Sequence, residues 1–118
     1  MSDLYREYIL DLYRHPLNYH SLDDATHQHK GVNPGCGDDI ILYLIVQNDK
    51  VIDCSFEGKG CALCFAGASL VTEKMQGMTI QEVSQISLEQ VYQWLGIPME
   101  PSRVKCVGLA LRTVQNMI

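Results

Sequence analysis

Hydrophobic residues recur at helical spacing near the start of the chain. The pattern predicts an amphipathic helix of about three turns, which Ser2 can cap and Pro16 can end. Its apolar face is formed by Leu4, Tyr8, Ile9 and Leu12. The residues that follow, 18–34, are mostly polar and predict an irregular connection rather than a helix or strand.

Two runs rich in β-branched and aromatic residues then predict an antiparallel hairpin. Residues 40–46 form the first strand, residues 51–56 form the second, and Asn48 with Asp49 supplies a tight turn between them. Alternation along the second strand puts three residues on one face, namely Ile52, Cys54 and Phe56. Cys54 is therefore predicted to pack as a small hydrophobic side chain.

The second half of the chain has the pattern of further helices. The first of them begins on Cys61, and Gly77 ends it as the residue after the C-cap. Capping-box patterns at residues 79–82 and 87–90 open two short helices. Beyond a proline-containing break, Ser102 can cap a final helix whose apolar side is formed by Val104, Val107, Leu111, Val114 and Ile118.

Length, composition and charge narrow the classes of function. The 118 residues are 47% hydrophobic, which is enough for a modest core, so residues 1–118 are predicted to form a single domain. A net charge of -5 without a basic cluster argues against a nucleic-acid partner. The chain has no run of about 18 apolar residues to span a bilayer, and its first residues are acidic where a signal peptide is basic. These features predict a cytoplasmic protein, or an organellar one after processing, with no membrane partner.

The cysteines are the chemically distinctive residues of the chain. An odd number, five, in a reducing compartment indicates metal binding or thiol chemistry rather than a disulfide framework. Cys61 begins a predicted helix, where unpaired backbone N–H groups and the helix dipole favour a thiolate. Cys36 precedes the first strand of the predicted hairpin and Cys61 follows the second, so we expect both at the same edge of the sheet.

Cys106 and Asp38 extend these two thiols to a candidate ligand set. Cys106 falls in the first turns of the final helix, and Asp38 lies two residues after Cys36. Three thiolates and a carboxylate suit Zn²⁺, and the thiolates equally suit an iron-sulfur cluster. The alternative is that these are ordinary buried thiols, since free cysteine is among the most buried residue types. His27 and His29 are also of ligand type, but in a polar connection we expect them to be exposed rather than ligating.

Four segments of the chain carry a resemblance to a known family. They are residues 5–18, Asn33-Pro34-Gly35-Cys36-Gly37-Asp38, Phe56-Glu57-Gly58-Lys59-Gly60-Cys61 and Arg103-Val104-Lys105-Cys106. In this order, and across nearly the whole chain, they resemble the NifU-like iron-sulfur cluster assembly proteins, which include the IscU and SufU groups. The resemblance implies an α+β fold in which helices pack on one face of a small antiparallel three-stranded sheet. It also implies a site at one exposed end, formed by Cys36, Asp38, Cys61 and Cys106.

The function implied by the resemblance is that of an assembly scaffold. Such a protein accepts sulfur from a cysteine desulfurase, assembles a labile [2Fe-2S] cluster, and transfers it to acceptor or carrier proteins without a general acid or base of its own. A second reading is a SufU-like zinc-dependent sulfurtransferase, in which Zn²⁺ holds the thiolates until a partner's ligand displaces one of them. A third is a purely structural zinc module, for which an oxygen ligand is less usual.

Two features bear on the choice between these readings. Lys105, before the last cysteine, resembles SufU, whereas the 45-residue spacing from Cys61 to Cys106 resembles IscU.

Cys64 lies one helical turn after Cys61, so it is either a buried spectator or a thiol that relays a persulfide to Cys61 or pairs with it.

Cys106 is predicted to be the first acceptor of persulfide sulfur. We expect Cys61 to be held deepest, and Cys36 and Cys106 to be more accessible. Lys105, Arg103 and the start of a helix are expected to lower the pKa of Cys106, which would make it the readiest nucleophile.

Overall fold

Three antiparallel strands form the sheet on which the chain is assembled. The computed structural model describes residues 3–118 and has the strands β1 (His27–Asn33), β2 (Asp38–Gln47) and β3 (Lys50–Lys59), in the spatial order β1-β2-β3. The predicted hairpin is confirmed as β2 and β3. Its turn residues Asn48 and Asp49 have φ of 52° and 62°, as a two-residue turn between twisted strands requires.

Helices pack against this sheet and against one another. They are α1 (Asp3–Arg14), α2 (Ala62–Met75), α3 (Ile80–Ser84), α4 (Leu88–Leu95), α5 (Val104–Val107) and α6 (Leu109–Met117), and a 3₁₀ turn, Pro101–Arg103, precedes α5. Helix α2 contacts β3, α6 contacts β1 and β2, and α1 and α4 pack on α2, which is buried along nearly its whole length. The α+β architecture is therefore confirmed. In residues 3–118, no helix is both long enough and apolar enough to cross a membrane.

The predicted helix ends are largely confirmed. The Thr79 hydroxyl accepts a hydrogen bond from the Glu82 N–H (3.1 Å) in a reciprocal capping box at the start of α3. Helix α4 begins with a capping box of the same kind. Gly77 follows α2 with a φ of +86°, and α1 ends before Pro16. The predicted cap of α1, Ser2, and the side chain of Leu4 lie outside the part of the chain that the structure describes.

Strand β1 lies where the sequence predicts an irregular connection, and that prediction is wrong. The strand pairs with β2 along its whole length, from His27 opposite Leu44 to Asn33 opposite Asp38. Most of its side chains are exposed, so no hydrophobic alternation marks it. Gly31 faces α6, where any Cβ would overlap Thr113, and this close packing explains a glycine within the strand.

A β-bulge changes which residues of β3 face the core. The pairing of β2 with β3 shifts there and leaves Ile52 without a partner in β2. The prediction that Ile52 shares a face with Cys54 and Phe56 is therefore wrong: Val51 takes the buried position, and Ile52 is 49% exposed. Cys54 is fully buried, and its thiol donates to the Thr72 carbonyl (2.9 Å), which confirms its packing role.

The final helix is divided rather than continuous. Ser102 lies inside the 3₁₀ turn instead of capping a helix, and α5 and α6 meet at Gly108. A Cβ on Gly108 would lie 2.9 Å from Nη1 of Arg112 and 3.0 Å from the Val104 carbonyl oxygen. The break thus occurs where the backbone and an arginine side chain leave no room for another side chain.

Candidate metal centre

Three segments that are distant in sequence meet at the end of the sheet where β2 begins. The first is the turn between β1 and β2, in which the N–H groups of Cys36 and Gly37 both donate to the Asn33 carbonyl oxygen, at 3.1 and 3.0 Å. The second is the junction of β3 and α2, where Cys61 is the N-cap residue of the helix, as predicted. The third is α5, which contains Cys106.

Cys36, Asp38 and Cys106 are the most closely grouped ligand residues. The sulfur atoms of Cys36 and Cys106 are 3.8 Å apart, and the ligand atoms of the three residues all lie within 4.8 Å of one another. Cys61 is outside this tight group, but its thiol interacts with that of Cys106. The structure therefore groups three of the four residues that the sequence predicts for the site, and Cys61 lies beside them.

Asp38 is the most buried member of the site, at 1% exposure. Its Oδ1 accepts a hydrogen bond from the Cys61 backbone N–H (3.0 Å), and its Oδ2 accepts one from Nδ2 of Asn33 (3.1 Å). The first bond joins the start of β2 to the N-terminus of α2 and satisfies an N–H that has no partner within the helix. A carboxylate has further lone pairs, so Asp38 can hold these segments together and still bind a metal ion.

Two glycines allow close backbone packing next to the site. A Cβ on Gly60 would lie 3.1 Å from Oδ1 of Asp38 and 3.0 Å from the sulfur of Cys64. Gly58 has a φ of +135°, which L side chains rarely adopt, and a Cβ there would overlap the backbone of Asp39. The glycines before Cys61 are therefore part of the construction of the site.

The predicted order of thiol accessibility is wrong. Cys36 and Cys61 are exposed and Cys106 is half-buried, so Cys106 rather than Cys61 is the deepest of the three. The reason is that Cys61 caps α2 from outside the helix, whereas α5 packs against α2.

The predicted lowering of the pKa of Cys106 is also wrong. Burial raises the pKa of the Cys106 thiol, and the neighbouring thiols of Cys61 and Cys36 raise it further. Lys105 and Arg103 have exposed side chains, so their charges are screened by water and do not offset the cost of burying a thiolate.

The other two cysteines are core residues. Burial raises the pKa of Cys54 to about 12, with Asp53 contributing in the same direction. Cys64 is 1% exposed, and burial raises its pKa as well. The prediction of a buried thiol at Cys64 is confirmed, and a role in relaying a persulfide stays a hypothesis.

Sequence reasoning missed two residues next to the site. Asn33 binds Asp38 through its side chain, and Arg112 of α6 binds Asn33. The position of Asn33 in the turn before Cys36 was a usable signal, whereas nothing in the sequence indicates that Arg112 reaches this turn. His27 and His29 are not among the grouped metal-ligand residues of the described chain.

The donor set fits a metal centre. Zn–S distances of about 2.3 Å with tetrahedral geometry put two sulfur ligands about 3.8 Å apart, and the sulfur atoms of Cys36 and Cys106 have this separation. Thiolates are also the usual ligands of iron-sulfur clusters, so the set suits either group. Because the raised pKa of Cys106 keeps its proton in the metal-free protein, binding a metal there must release that proton.

Fold and site together define a small α+β protein with a candidate metal site of thiols and a carboxylate. The family described as NifU-like N terminal domain matches residues 4–118, and the chain belongs to this family. The resemblance seen in the sequence is confirmed.

Named relatives match almost the whole chain. The iron-sulfur cluster assembly scaffold protein IscU of Thermotoga maritima is 34% identical, over 98% of this chain and 92% of its own length. The zinc-dependent sulfurtransferase SufU of Bacillus subtilis is 30% identical, over 98% of this chain and 90% of its own. Among solved structures, a protein from Fervidobacterium islandicum AW-1, described as a scaffold for the SUF system, superposes with a TM-score of 0.80 at 26% identity, covering 94% of this chain and 93% of its own.

Proposed function

We propose that this protein is an iron-sulfur cluster assembly scaffold whose cluster ligands are Cys36, Asp38, Cys61 and Cys106. The observation that carries the proposal is the grouping of the Cys36 and Cys106 thiols with the buried carboxylate of Asp38, with the two sulfur atoms 3.8 Å apart. Cys61 lies beside them, and its backbone N–H donates to the same carboxylate. The IscU relatives, which are named as scaffolds, support it. The partners in this role are a cysteine desulfurase, which supplies sulfur, and acceptor or carrier proteins, which receive the finished [2Fe-2S] cluster.

Sulfur receipt is a thiol exchange that the exposed end of the site can perform. A thiolate of this chain attacks the terminal sulfur of the desulfurase persulfide, a new S–S bond forms, the old one breaks, and the desulfurase cysteine leaves as a thiolate. The persulfide is thereby transferred without any net change of oxidation state. Its later release as sulfide takes two electrons per sulfur from an external reductant. The cysteines are free, and we place the reaction in a reducing compartment, the cytoplasm.

Asp38 supports transfer as well as assembly. Its carboxylate is a harder ligand than thiolate and matches an iron-sulfur cluster less well. It is therefore the ligand that can dissociate from the cluster to admit an acceptor. The two N–H groups that hold its oxygen atoms keep the side chain in place when a metal–oxygen bond breaks.

A second candidate function is zinc-dependent sulfur transfer. The B. subtilis relative named for this activity matches nearly the full length, and the spacing of Cys36 and Cys106 suits a single Zn²⁺. In this reading Cys36, Asp38, Cys61 and Cys106 would hold Zn²⁺, which would keep the thiols deprotonated, and a thiolate freed by a ligand from the desulfurase would accept the sulfur.

Cluster assembly in a defined mixture tests the proposal. The protein is incubated without oxygen with a desulfurase, cysteine, ferrous iron and a thiol reductant, and an apo-ferredoxin of the [2Fe-2S] type is then added. A scaffold develops visible charge-transfer absorption and passes the cluster to the ferredoxin faster than free iron and sulfide do. A zinc-loaded protein that accelerates sulfide release by the desulfurase but never carries a cluster would support the second candidate instead.

A further inference from the structure

We propose that Arg112 is a positioning residue of the metal centre, which acts through Asn33 on Asp38 and on the peptide that leads into Cys106. The inference rests on the proposed function in one respect, because Asp38 and Cys106 are two of the four proposed ligands. Arg112 lies on α6, outside the segments that supply those ligands.

A connected set of hydrogen bonds joins Arg112 to the site. Nη2 of Arg112 donates to Oδ1 of Asn33 (3.3 Å) and to the carbonyl oxygen of Lys105 (2.8 Å). Nδ2 of Asn33 donates to the same Lys105 carbonyl (2.8 Å) and to Oδ2 of Asp38 (3.1 Å). The Lys105 carbonyl belongs to the peptide bond that precedes Cys106, so the set holds two ligand-bearing segments at once.

The chemistry of the donors fixes how Asn33 is oriented. A guanidinium group only donates hydrogen bonds, so the side-chain atom of Asn33 that faces Arg112 must be the amide oxygen. The amide NH₂ group then faces the carboxylate of Asp38 and the Lys105 carbonyl, and both of its hydrogens are used. Arg112 thus favours the orientation of the Asn33 amide in which its NH₂ group donates to Asp38.

Arg112 can perform this role while its own side chain is exposed. Asn33 is 8% exposed and forms the inner part of the connection, whereas Arg112 covers it from the solvent side. Gly108 leaves the space that the guanidinium group occupies, since a Cβ there would lie 2.9 Å from Nη1. An exposed residue can be substituted with little cost to the core, which makes the inference testable.

Metal affinity and metal geometry are the two quantities that Arg112 should control. Residues that orient metal ligands typically change affinity by about 10- to 100-fold when they are removed. The expected result for Arg112→Met is a loss of Zn²⁺ affinity in that range, measured by competition with a chromophoric chelator. The d–d absorption bands of bound Co²⁺ should also shift, because the carboxylate and Cys106 are no longer held in one geometry.

Two further variants separate positioning from other effects. Arg112→Lys keeps the positive charge, but its ammonium group lies one bond closer to the backbone than Nη2, the atom that donates to both acceptors. It should therefore remain close to Arg112→Met in both measurements. Arg14→Met removes an exposed arginine of α1 and should match the parent protein. The urea midpoint of each metal-free variant is measured alongside, and Arg112→Met should stay close to Arg14→Met.

The outcomes distinguish failure of this inference from failure of the proposed function. If the parent protein bound neither Zn²⁺ nor Co²⁺, the metal centre itself would be wrong and the role of Arg112 with it. If the parent bound both ions, and Arg112→Met had the parent's affinity and Co²⁺ spectrum, the centre would stand and the positioning role would be refuted. Full recovery by Arg112→Lys would also refute it, because charge alone would then suffice.

A double-mutant cycle tests whether Arg112 acts through Asn33. In a protein that already contains Asn33→Ala, Arg112→Met should reduce Zn²⁺ affinity by a smaller factor than in the parent, because part of its effect has been removed. Equal factors in the two backgrounds would show that Arg112 acts independently of Asn33 and would overturn the proposed connection.

Discussion

Burial divides the free cysteines into exposed thiols at the site and thiols in the core. Cys36 and Cys61 are exposed, whereas Cys54 and Cys64 are buried and have raised pKa values, about 12 for Cys54. A thiolate is the reactive form of cysteine, and both its abundance and its accessibility control alkylation. The structure therefore separates these residues by reactivity as well as by position.

Alkylation of the metal-free protein should follow this division. With iodoacetamide at pH 8, we expect Cys36 and Cys61 to be modified first, and Cys54 and Cys64 to be modified only on global or local unfolding. Peptide mass spectrometry over a time course measures the order, with protein in concentrated urea as the control in which all sites react. Modification of Cys54 at the rate of Cys36 in native protein would contradict the described burial.

Substitution of Asp38 should have opposite effects on the fold and on a bound cluster. Asp38→Ala leaves the Cys61 N–H and the Asn33 amide without their acceptor, so we expect a loss of about 1–3 kcal/mol in the free energy of unfolding. The variant should still fold, and its cluster should persist longer because no weakly matched carboxylate is left to dissociate.

The decay of cluster absorption under anaerobic conditions measures this persistence. Asp39→Ala is a matched control, since Asp39 is the adjacent acid and its ion pair with Lys30 (3.3 Å) lies at the surface. Faster cluster loss from Asp38→Ala than from the parent would show that Asp38 retains the cluster rather than permitting its release.

Cys106 stays our prediction for the first sulfur acceptor, although the original reasons of exposure and low pKa do not hold. Its thiol interacts with those of both Cys61 and Cys36, so a persulfide formed there can reach either neighbour. After brief incubation of metal-free protein with a desulfurase and cysteine, peptide mass spectrometry should find the added sulfur on Cys106. A persulfide that arises first on Cys36 or Cys64, with Cys106 unmodified, would exclude this assignment.

Among the helices, the contact between α2 and α5 controls how the ligands are spaced. Cys61 caps α2 and Cys106 lies in α5, and the two helices touch at Gly67, where any Cβ would overlap the Val107 carbonyl oxygen. A shift of one helix relative to the other therefore changes the separation of the two thiols.

Gly67→Ala should weaken both stability and metal binding. The added methyl group must push α5 away from α2, and overpacking of this kind costs about 1–3 kcal/mol. Urea unfolding and Zn²⁺ competition measure the two effects. Gly35→Ala is the control, because a Cβ there would meet no atom within 4 Å, and it should be nearly neutral. A neutral Gly67→Ala would mean that the helices can separate without disturbing the site.

Elements with a clear hydrophobic pattern or a capping signal could be predicted from the sequence. The hairpin, α2 and the two capped helices are of this kind, since each has local turn or cap chemistry at its ends. Strand β1 could not be predicted from the sequence, because its exposed side chains show no alternation of hydrophobic and polar residues and its pairing with β2 is a long-range interaction. The division of the last helix at Gly108 was also missed, because the apolar positions Val107 and Leu111 continue the helical spacing across it.

At the scale of the whole molecule, the site follows from topology more than from local sequence. Antiparallel pairing returns the chain to the edge of the sheet where it began, which brings the segment of Cys61 back to Asp38, as the sequence predicts. Cys106 joins them through packing of α5 on α2, which spacing alone did not indicate. The relative burial of the thiols and the Arg112–Asn33 hydrogen bond could not be predicted from the sequence. Both depend on how the segments that carry Cys36, Cys61 and Cys106 pack together.

Metal and acid-labile sulfide analysis of protein purified without oxygen tests the scaffold function most directly. We expect the parent protein to contain iron and sulfide in equal amounts, and a variant with Cys36, Cys61 and Cys106 replaced by serine to contain neither. If protein purified without oxygen contained zinc and no sulfide, the result would contradict the scaffold function and support zinc-dependent sulfur transfer.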